Sequence, residues 1–257
     1  MRIDILTLFP EMCEHFLNES IIGRARAKGV AEFYCHNIRD YTESKQGRVD
    51  DAPFGGGTGL VMQIQPILSC HQAVCAAAEN KPHVVYVSPQ GLPLTQSRVR
   101  ELSGLEHIEI LCGHYEGVDE RVLKLIVDEE ISVGDFVVTG GELPALMLAD
   151  AITRMRPGTL RNEEAYSLES HYNGLLEYPQ YTRPWDWEGM TPPEILRSGH
   201  HANIRVWQRE ESIKRTAKKR PDLLARAVTE CEVTAKELQR YCPSQNEATC
   251  GLAADET

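Results

Sequence analysis

Apolar and polar residues follow two alternating patterns over the first 160 residues of the chain. Short runs rich in Val, Ile, Leu and Tyr are typical of strands, and segments with apolar residues at the helical period lie between them. The pattern predicts strands over Arg2–Phe9, Ala31–Ile38, His83–Ser88, His107–Cys112 and Phe136–Thr139. It predicts helices over Ser20–Lys28, Gln65–Glu79, Thr95–Ser103, Glu120–Ile126 and Glu142–Met155. This alternation indicates an α/β domain with a mostly parallel sheet covered by helices.

The pattern changes after the helix predicted over Glu142–Met155. The sequence Arg156-Pro157-Gly158 ends this helix. Residues 161–187 lose periodicity and are rich in Pro, Gly, Asn, Ser and Tyr. A segment of this length without regular structure is usually functional or a linker. We therefore predict a domain over residues 1–160 and an interdomain linker over residues 161–187.

Helical signals return in the last part of the chain. Thr191-Pro-Pro-Glu194 and Thr234-Ala-Lys-Glu237 both match the capping-box pattern that starts helices. Between them, residues 200–219 predict a long basic helix that ends before Pro221. We predict a small basic helical domain over residues 188–242 and a disordered tail over residues 243–257.

Charge is distributed unevenly along the chain. The net charge of the 257 residues is −11, but residues 195–226 hold nine Lys and Arg against three acids, so this stretch is +6 and the remainder −17. Such asymmetry favours a local phosphate-binding surface on an acidic protein. A solvated helix face is the alternative that charge alone leaves open.

The sequence also indicates in which cellular compartment the protein acts. It has no apolar run of the roughly 18 residues typical of a membrane span, and Asp4 lies where a signal peptide would be apolar. The eight cysteines match no metal-binding spacing and are expected to be free thiols. Adjacent histidines such as His200 and His201 point in different directions on a helix, so we predict no metal site there. These features favour a cytoplasmic protein.

Three glycine-rich segments follow or interrupt the predicted strands. They are Pro53-Phe-Gly-Gly-Gly-Thr-Gly59, Gly113-His-Tyr-Glu-Gly117 and Thr139-Gly-Gly-Glu-Leu-Pro144. Loops at the carboxyl ends of parallel strands form the ligand crevice of such sheets, and glycine lets the backbone approach a ligand closely. None matches a phosphate-binding or dinucleotide-binding fingerprint. Ser88-Pro-Gln-Gly91 is a fourth candidate wall of the crevice, with an ordinary turn as the alternative.

These segments together resemble the TrmD family of tRNA (guanine-N1)-methyltransferases over residues 1 to about 240. The matching stretches are Asp4-Ile-Leu-Thr-Leu-Phe-Pro, Asp50-Asp-Ala-Pro-Phe-Gly-Gly-Gly-Thr-Gly-Leu-Val-Met, Cys112-Gly-His-Tyr-Glu-Gly-Val-Asp-Glu-Arg, Ser132-Val-Gly-Asp-Phe-Val-Val-Thr-Gly-Gly-Glu-Leu-Pro, Gly174-Leu-Leu-Glu-Tyr-Pro-Gln-Tyr-Thr-Arg-Pro and Ser198-Gly-His-His-Ala-Asn-Ile. The resemblance implies a SPOUT-type α/β domain with a deep trefoil knot, followed by a small α-helical domain. It also implies a homodimer whose active sites lie across the interface.

The resemblance further implies that S-adenosylmethionine donates a methyl group to N1 of guanosine 37 in tRNA. The implied cofactor-binding residues are Tyr86, Ser88, Pro89, Gly113, Tyr115, Glu116, Gly117, Val133, Gly134, Asp135, Phe136, Val137, Val138, Gly140, Gly141 and Pro144. Glu169 would remove the N1 proton and Arg154 would stabilise the charge that develops at O6. Asp50, Thr58 and Gly59 would flank the guanine, and basic residues such as Lys218 and Lys219 would hold tRNA phosphates. Family members also respond to magnesium, but no dedicated metal site is apparent.

The chain departs from the common family pattern at four positions. Glu169 stands where Asp is usual, His171 where Phe is usual, His114 where Arg is common, and Gln65 where Glu is common. The extra methylene of Glu169 leaves open a second hypothesis, an RNA-binding protein without catalysis. A third hypothesis is a knotted methyltransferase that acts on ribosomal RNA or on a ribose hydroxyl.

Overall fold

The computed structural model describes residues 1–161 and 163–243, and the chain divides into two compact units at residues 161 and 162. The described residues form strands β1 (Arg2–Thr7), β2 (Glu32–Asn37), β3 (Asp50–Asp51), β4 (Val61–Met62), β5 (His83–Pro93), β6 (His107–Cys112) and β7 (Glu129–Ser132). Their helices are α1 (Pro10–Leu17), α2 (Ser20–Ala27), α3 (Ile64–Ala77), α4 (Gln96–Ser103), α5 (Glu120–Ile126), α6 (Glu142–Arg154), α7 (His201–Lys219), α8 (Pro221–Thr229) and α9 (Ala235–Tyr241). Short 3₁₀ helices span Ile38–Tyr41, Glu163–Leu168 and Glu194–Arg197.

The first unit is built on a parallel sheet of five strands in the order β2-β1-β6-β5-β7. The predicted α/β class and parallel sheet are therefore confirmed. Strands β3 and β4 form a separate antiparallel pair. No helix in the described ranges combines the length and the apolar character that a membrane crossing requires. The trefoil knot implied by the resemblance stays a prediction.

Strands β1 and β6 and residues 84–88 of β5 are buried on both faces of the sheet, which explains why these segments are mostly apolar. Ile3, Ile5 and Ile110 face one core cluster, which helix α6 also lines. Leu6 and Leu111, on the opposite face, join a second cluster with residues of α3. Burial of each such side chain stabilises the fold by about 1.5–3 kcal/mol.

A polar group interrupts this second face. Asp4 of β1 is completely buried. Its carboxylate is 2.7 Å from Nε of Arg2, 2.6 Å from Nε2 of His36 and 2.8 Å from Nε2 of His107. Since His36 and His107 belong to β2 and β6, this carboxylate links the three neighbouring strands. Such a buried charge is tolerated because every oxygen is hydrogen-bonded.

Most predicted elements are confirmed, but the strand predicted over Phe136–Thr139 is wrong. Those residues form a loop in which Phe136 is 56% and Val137 81% exposed. The fifth strand is β7, which the sequence analysis missed because acidic residues precede Ile131. The apolar character of Phe136–Thr139 belongs to a loop that lines a cavity, so it did not indicate strand pairing.

Two helix starts also differ from prediction. Helix α1, with Pro10 in its first turn, was not predicted. The capping box predicted at Thr191 is wrong, because the segment is a short 3₁₀ helix capped at Pro193 without a side-chain hydrogen bond. A residue before proline is kept out of the helical region, so the two prolines delay the helix start beyond Thr191.

The second unit packs helices α7, α8 and α9 around Leu175, Ile213, Leu224 and Leu238. Its capping box is confirmed, since Thr234 and Glu237 each bond the other's backbone N–H. Because Leu175 is 1% exposed, part of the segment predicted as a linker contributes to this core. The predicted tail, apart from Pro243, lies outside the described residues.

Candidate functional site

A cavity of about 280 Å³ opens where β6 and β7 end and where β5 is interrupted. Its lining residues are Tyr86, Val87, Ser88, Pro89, Gln90, Gly113, His114, Tyr115, Glu116, Gly117, Val118, Glu120, Leu123, Glu130, Ile131, Ser132, Val133, Gly134, Phe136, Val137, Val138, Thr139, Gly140, Gly141 and Pro144. This set contains every residue that the sequence analysis assigned to cofactor binding except Asp135. The structure thus brings together residues separated by almost 60 positions of the chain.

An irregularity in β5 supplies one wall of the cavity. The pairing of β5 with β7 shifts between Val87 and Leu92. The intervening residues Ser88, Pro89 and Gln90 turn to the cavity, as expected for a fourth wall. Gly91 closes this bulge, because a Cβ there would lie 2.5 Å from the backbone of Glu130.

Glycines allow two further walls to approach each other. Gly141 donates its backbone N–H to the carbonyl of Gly113 at 2.8 Å. A Cβ on Gly141 would lie 2.7 Å from Cα of Cys112, and a Cβ on Gly113 would lie 2.6 Å from the Tyr86 hydroxyl. These glycines are therefore required by close contact rather than by positive φ.

Tyr86 forms the floor beneath Gly113. Burial raises the pKa of its phenol to about 12, although a hydrogen bond with the backbone of Val118 acts in the opposite direction. The hydroxyl therefore stays protonated at neutral pH. It can donate one hydrogen bond at the cavity floor while it accepts from the backbone.

The cavity is acidic. Glu116, Glu120 and Glu130 contribute carboxylates, and none of the lining residues, all within the first unit, is a lysine or an arginine. Such a site favours a ligand that carries positive charge and disfavours a pyrophosphate. Its glycine-rich walls offer backbone N–H and C=O groups to the ligand's polar atoms.

The segment predicted to flank the substrate adjoins this cavity. Met62 of β4 donates its backbone N–H to Gly117 at 2.9 Å, and Glu116 donates to Leu60 at 3.0 Å. A Cβ on Gly59 would lie 2.5 Å from Oε1 of Glu116. Asp50 pairs with Met62 across β3 and β4, and Thr58 is exposed in the intervening loop.

Arg154 and Glu169, the predicted catalytic pair, lie in different units. Arg154 is the last residue of α6, one turn beyond Asp150. Burial raises the pKa of the Asp150 carboxyl, and the Arg154 charge opposes that shift. In the second unit, Glu169 lines an open cleft of about 520 Å³ together with Leu168, Ser170, Glu177, Tyr178 and Gln180.

The basic helix of the second unit is partly neutralised by its own acids. Lys214 pairs with Glu210 at 2.6 Å, and Arg209 pairs with Glu237 at 2.9 Å. Lys218 and Lys219 are exposed at the end of α7 and have no ion-pair partner within residues 166–243. Their charge is therefore available to an external anion.

Several cavity residues were not assigned by sequence reasoning. Glu130, Ile131 and Ser132 were missed because their strand β7 was not predicted. The sequence pattern that indicates β7 is the short apolar run that follows the acidic residues. Glu142 lies in a glycine-rich segment and at the start of a predicted helix but was given no role of its own, yet it is 4% exposed and lies behind the cavity wall. No local pattern distinguishes a buried acid in a first helical turn from an exposed one.

Comparison of this chain with known proteins identifies its family. A model described as tRNA (Guanine-1)-methyltransferase TrmD matches residues 1–226. A tRNA (guanine-N(1)-)-methyltransferase of Ruminiclostridium cellulolyticum is 55% identical over 223 residues, which cover 87% of this chain and 96% of that protein. The corresponding protein of Clostridioides difficile is 50% identical, with 87% and 97% covered.

A solved structure agrees with these matches. The crystal structure of tRNA (m1G37) methyltransferase from Aquifex aeolicus is 41% identical in sequence and superimposes with a TM-score of 0.72. It covers 91% of this chain, and this chain covers 99% of it. With the family model, near full-length relatives and a shared fold in agreement, the chain belongs to the TrmD family of tRNA (guanine-N1)-methyltransferases.

Proposed function

We propose that the protein methylates N1 of guanosine 37 in tRNA with S-adenosylmethionine as the methyl donor, and that it acts in the cytoplasm. The single observation that supports this most strongly is the cavity, which gathers 15 of the 16 residues assigned to the donor into one acidic, glycine-walled site. The names of the relatives describe methyl transfer to tRNA guanine N1, and the name of the Aquifex aeolicus enzyme specifies position 37.

The residues that line the cavity fit S-adenosylmethionine as the ligand. The sulfonium is cationic, and the lining residues Glu116, Glu120 and Glu130 make the cavity acidic. Gly113 and Gly141 leave space that a Cβ would fill, so backbone groups can reach a nucleoside. When bound, the donor supplies an electrophilic methyl group. Tyr86 offers a protonated hydroxyl and Ser88 a second polar group for its orientation.

Glu169 and Arg154 have separate roles in the methyl transfer to guanine. Guanine N1 carries a proton at neutral pH, so its lone pair becomes available only when a base removes that proton. The Glu169 carboxylate accepts the proton, and the Arg154 guanidinium stabilises the negative charge that then shifts to O6. Asp50, Thr58 and Gly59 flank the guanine, which leaves the stack of the anticodon loop to enter the site.

The second unit holds the tRNA. Lys218 and Lys219 contact phosphates because their charge is not neutralised by neighbouring acids in the described part of this unit. Phosphate contacts position the substrate without reading its sequence. The specificity for guanosine 37 therefore comes from the pocket that receives the base.

The active form is a homodimer in which Glu169 of one subunit serves the donor cavity of the other. Helices α1 and α6 are in contact and present Met12, Phe16, Leu143 and Met147, each more than 40% exposed. An apolar surface of this kind is typical of a protein–protein interface. Light scattering of the wild type and of Phe16→Glu tests this proposal, since the variant should be monomeric.

Methyl transfer from labelled S-adenosylmethionine to unmodified tRNA tests the activity. Transcripts with guanosine or adenosine at position 37 form the matched pair, and only the first should become labelled. Digestion of the product should yield 1-methylguanosine. Binding of tRNA without label would instead support the non-catalytic RNA-binding protein. Label on ribose or on ribosomal RNA would support the third hypothesis, and either result would refute the proposal.

The replacement Glu169→Ala tests the proposed base. We expect the rate of methyl transfer to fall by about 10²–10⁴, the usual contribution of a general base. The dissociation constant of the donor analogue sinefungin should change less than about twofold. Glu194→Ala, which removes an exposed acid of the same unit, serves as the control and should retain activity. Normal turnover of the Glu169 variant would exclude its role as base.

A further inference from the structure

Phe54 lies at the tip of the loop that joins β3 and β4, and its side chain is 100% exposed. The backbone N–H of Gly56 donates to the carbonyl of Pro53 at 3.3 Å, which places Phe54 at the second position of a turn. Gly55 follows with φ +92°, the positive value that the third position of a type II turn requires. The phenyl ring therefore projects from the corner of this turn into solvent.

The glycines after the ring border open space. Gly55, Gly56 and Gly57 all have positive φ, and a Cβ on any of them would meet no atom of the described residues within 4 Å. Glycine populates both signs of φ with similar ease, so this segment can change conformation at low cost. Residues 52–62 also contain no charged side chain. The loop thus presents one aromatic ring on a flexible, uncharged support.

The base of the loop is fixed to the wall of the donor cavity. Met62 of β4 is completely buried. It donates its backbone N–H to Gly117 at 2.9 Å, and its carbonyl accepts from the N–H of Asp119 at 3.0 Å. Phe54 follows Asp51 of β3 by three positions, so their Cα atoms lie within about 10 Å of each other. The ring is therefore held near the cavity although its own surroundings are open.

A nucleobase is the partner that this ring fits best. The core of a protein–protein interface needs several adjacent apolar side chains, whereas the residues that follow this ring are glycines. A base presents a flat π-face on which a single aromatic ring stacks, whatever the base is. The guanine is proposed to enter beside Asp50 and Gly59, at the base of the loop. A ring at the tip is then placed to meet the nucleotide next to that guanine.

The charges near the loop support an RNA partner. Lys45 and Arg48, in the segment before β3, are exposed and form no ion pair within residues 1–161. Asp50 and Asp51 follow on β3 and repel a phosphate from the hairpin itself. Phosphates are therefore attracted beside the hairpin, and its uncharged tip is left to a base.

We propose that Phe54 is a positioning residue: when the target guanosine turns into the donor cavity, the phenyl ring stacks on the adjacent nucleobase and fills the gap in the anticodon loop. A base that leaves its stack deprives its neighbours of stacking energy, and an apolar or aromatic side chain in the gap replaces it. The flexible glycines let the ring follow the RNA as it binds. This inference rests on the proposed function and adds the residue that holds the substrate in its flipped conformation.

Methyl transfer to unmodified tRNA tests the proposal on the full-length protein. Phe54→Ala should lower kcat/KM for tRNA by about 5–150-fold, the factor that corresponds to one base–aromatic stack. Phe54→Tyr, which keeps a ring, should retain most of the activity. Phe54→Leu, which keeps apolar bulk without a ring, should be impaired like the alanine variant. Leu125→Ala removes another exposed apolar side chain of the same unit, on α5, and should retain wild-type activity.

Fluorescence of 2-aminopurine reports the stack itself, because stacking quenches this base. Two transcripts carry it on one side or the other of guanosine 37. In the complex with the wild type, the 2-aminopurine that contacts Phe54 should stay quenched, and the same transcript should lose this quenching in the complex with Phe54→Ala. Equal fluorescence of the two complexes, with both transcripts, would overturn the inference.

Other roles of the ring have outcomes of their own. Phe54→Ala should bind sinefungin as tightly as the wild type does, and a weaker affinity would make the ring a lid of the donor cavity. A monomeric Phe54→Ala variant in light scattering would make the ring part of a subunit interface. Either result refutes the inference.

The failure of this inference differs from failure of the proposed function. If all Phe54 variants methylate tRNA as the wild type does, the inference is wrong while the proposed function stands. If the wild type methylates no tRNA, the proposed function fails as well.

Discussion

The replacement Gly141→Ala tests whether close backbone contact shapes the donor cavity. Gly141 has φ −76° and ψ −7°, which alanine adopts without strain, so only the new methyl group matters. That carbon would lie 2.7 Å from Cα of Cys112 and 2.8 Å from the backbone nitrogen of Gly113. The two segments must separate by about 0.8 Å to reach the roughly 3.5 Å of ordinary carbon contact. The hydrogen bond from Gly141 to Gly113, now 2.8 Å, would then be lost.

Two costs add in this variant. Overpacking costs about 1–3 kcal/mol, and loss of the hydrogen bond costs about 1 kcal/mol. We therefore expect the free energy of unfolding to fall by about 2–4 kcal/mol and the affinity for sinefungin to fall at least tenfold.

Urea unfolding followed by far-UV circular dichroism measures the first effect, and calorimetry measures the second. Gly104→Ala is the matched control, because Gly104 has φ −79° and ψ −13° but its Cβ would approach only the carbonyl oxygen of Glu101, at 3.3 Å. This control should change stability by less than about 1 kcal/mol. A Gly141 variant within about 0.5 kcal/mol of the control, with unchanged sinefungin affinity, would refute the steric argument.

Two further predictions concern charge. Replacing Lys218 and Lys219 by alanine should reduce the slope of log affinity for tRNA against log salt by about 1.4–1.8, the contribution of two phosphate contacts, and an unchanged slope would remove them from the interface. Lys214→Ala should leave that slope nearly unchanged, because Lys214 is already paired with acids of its own helix. For Asp4, burial raises the pKa, but hydrogen bonds from two histidines and an arginine outweigh it and lower the pKa to about 2, from 3.8. Its ionised form therefore contributes roughly 2 kcal/mol of stability above about pH 4, which is lost as pH falls to about 2. Urea unfolding at pH 5 and pH 2.5 should show this loss in the wild type but not in Asp4→Asn, and a constant difference between the two proteins would contradict it.

Much of the fold was predictable because it depends on local periodicity. Strands β1 and β6 are buried on both faces, so their apolar runs are unambiguous, and α6 has both a helical period and a clear end at Arg156-Pro157-Gly158. The edge strand β7 was not predicted, because one short apolar run beside three acids resembles a loop. The opposite error occurred at Phe136–Thr139, where apolar side chains line a cavity instead of a strand.

The candidate site was predictable only through motifs. Glycine-rich segments after strands indicated a ligand crevice, and the family resemblance assigned the residues. Sequence could not reveal that Gly141 is needed because Cys112 and Gly113 approach it, since that contact joins residues about 28 positions apart. It also could not distinguish the buried Glu142 from an ordinary acid in the first turn of a helix.

By itself, the sequence determined the α/β class, the parallel sheet, the basic helix near the C-terminus and membership of a methyltransferase family. These properties follow from residue patterns within a few turns of helix or one strand, and from motifs that are contiguous in the chain. The tertiary structure decided which glycines are sterically required, how Asp4 links three strands, and that His114 faces Glu142 across Gly140. Those facts depend on distances between segments far apart in the chain, which the packing of the sheet and its helices sets and no local pattern encodes.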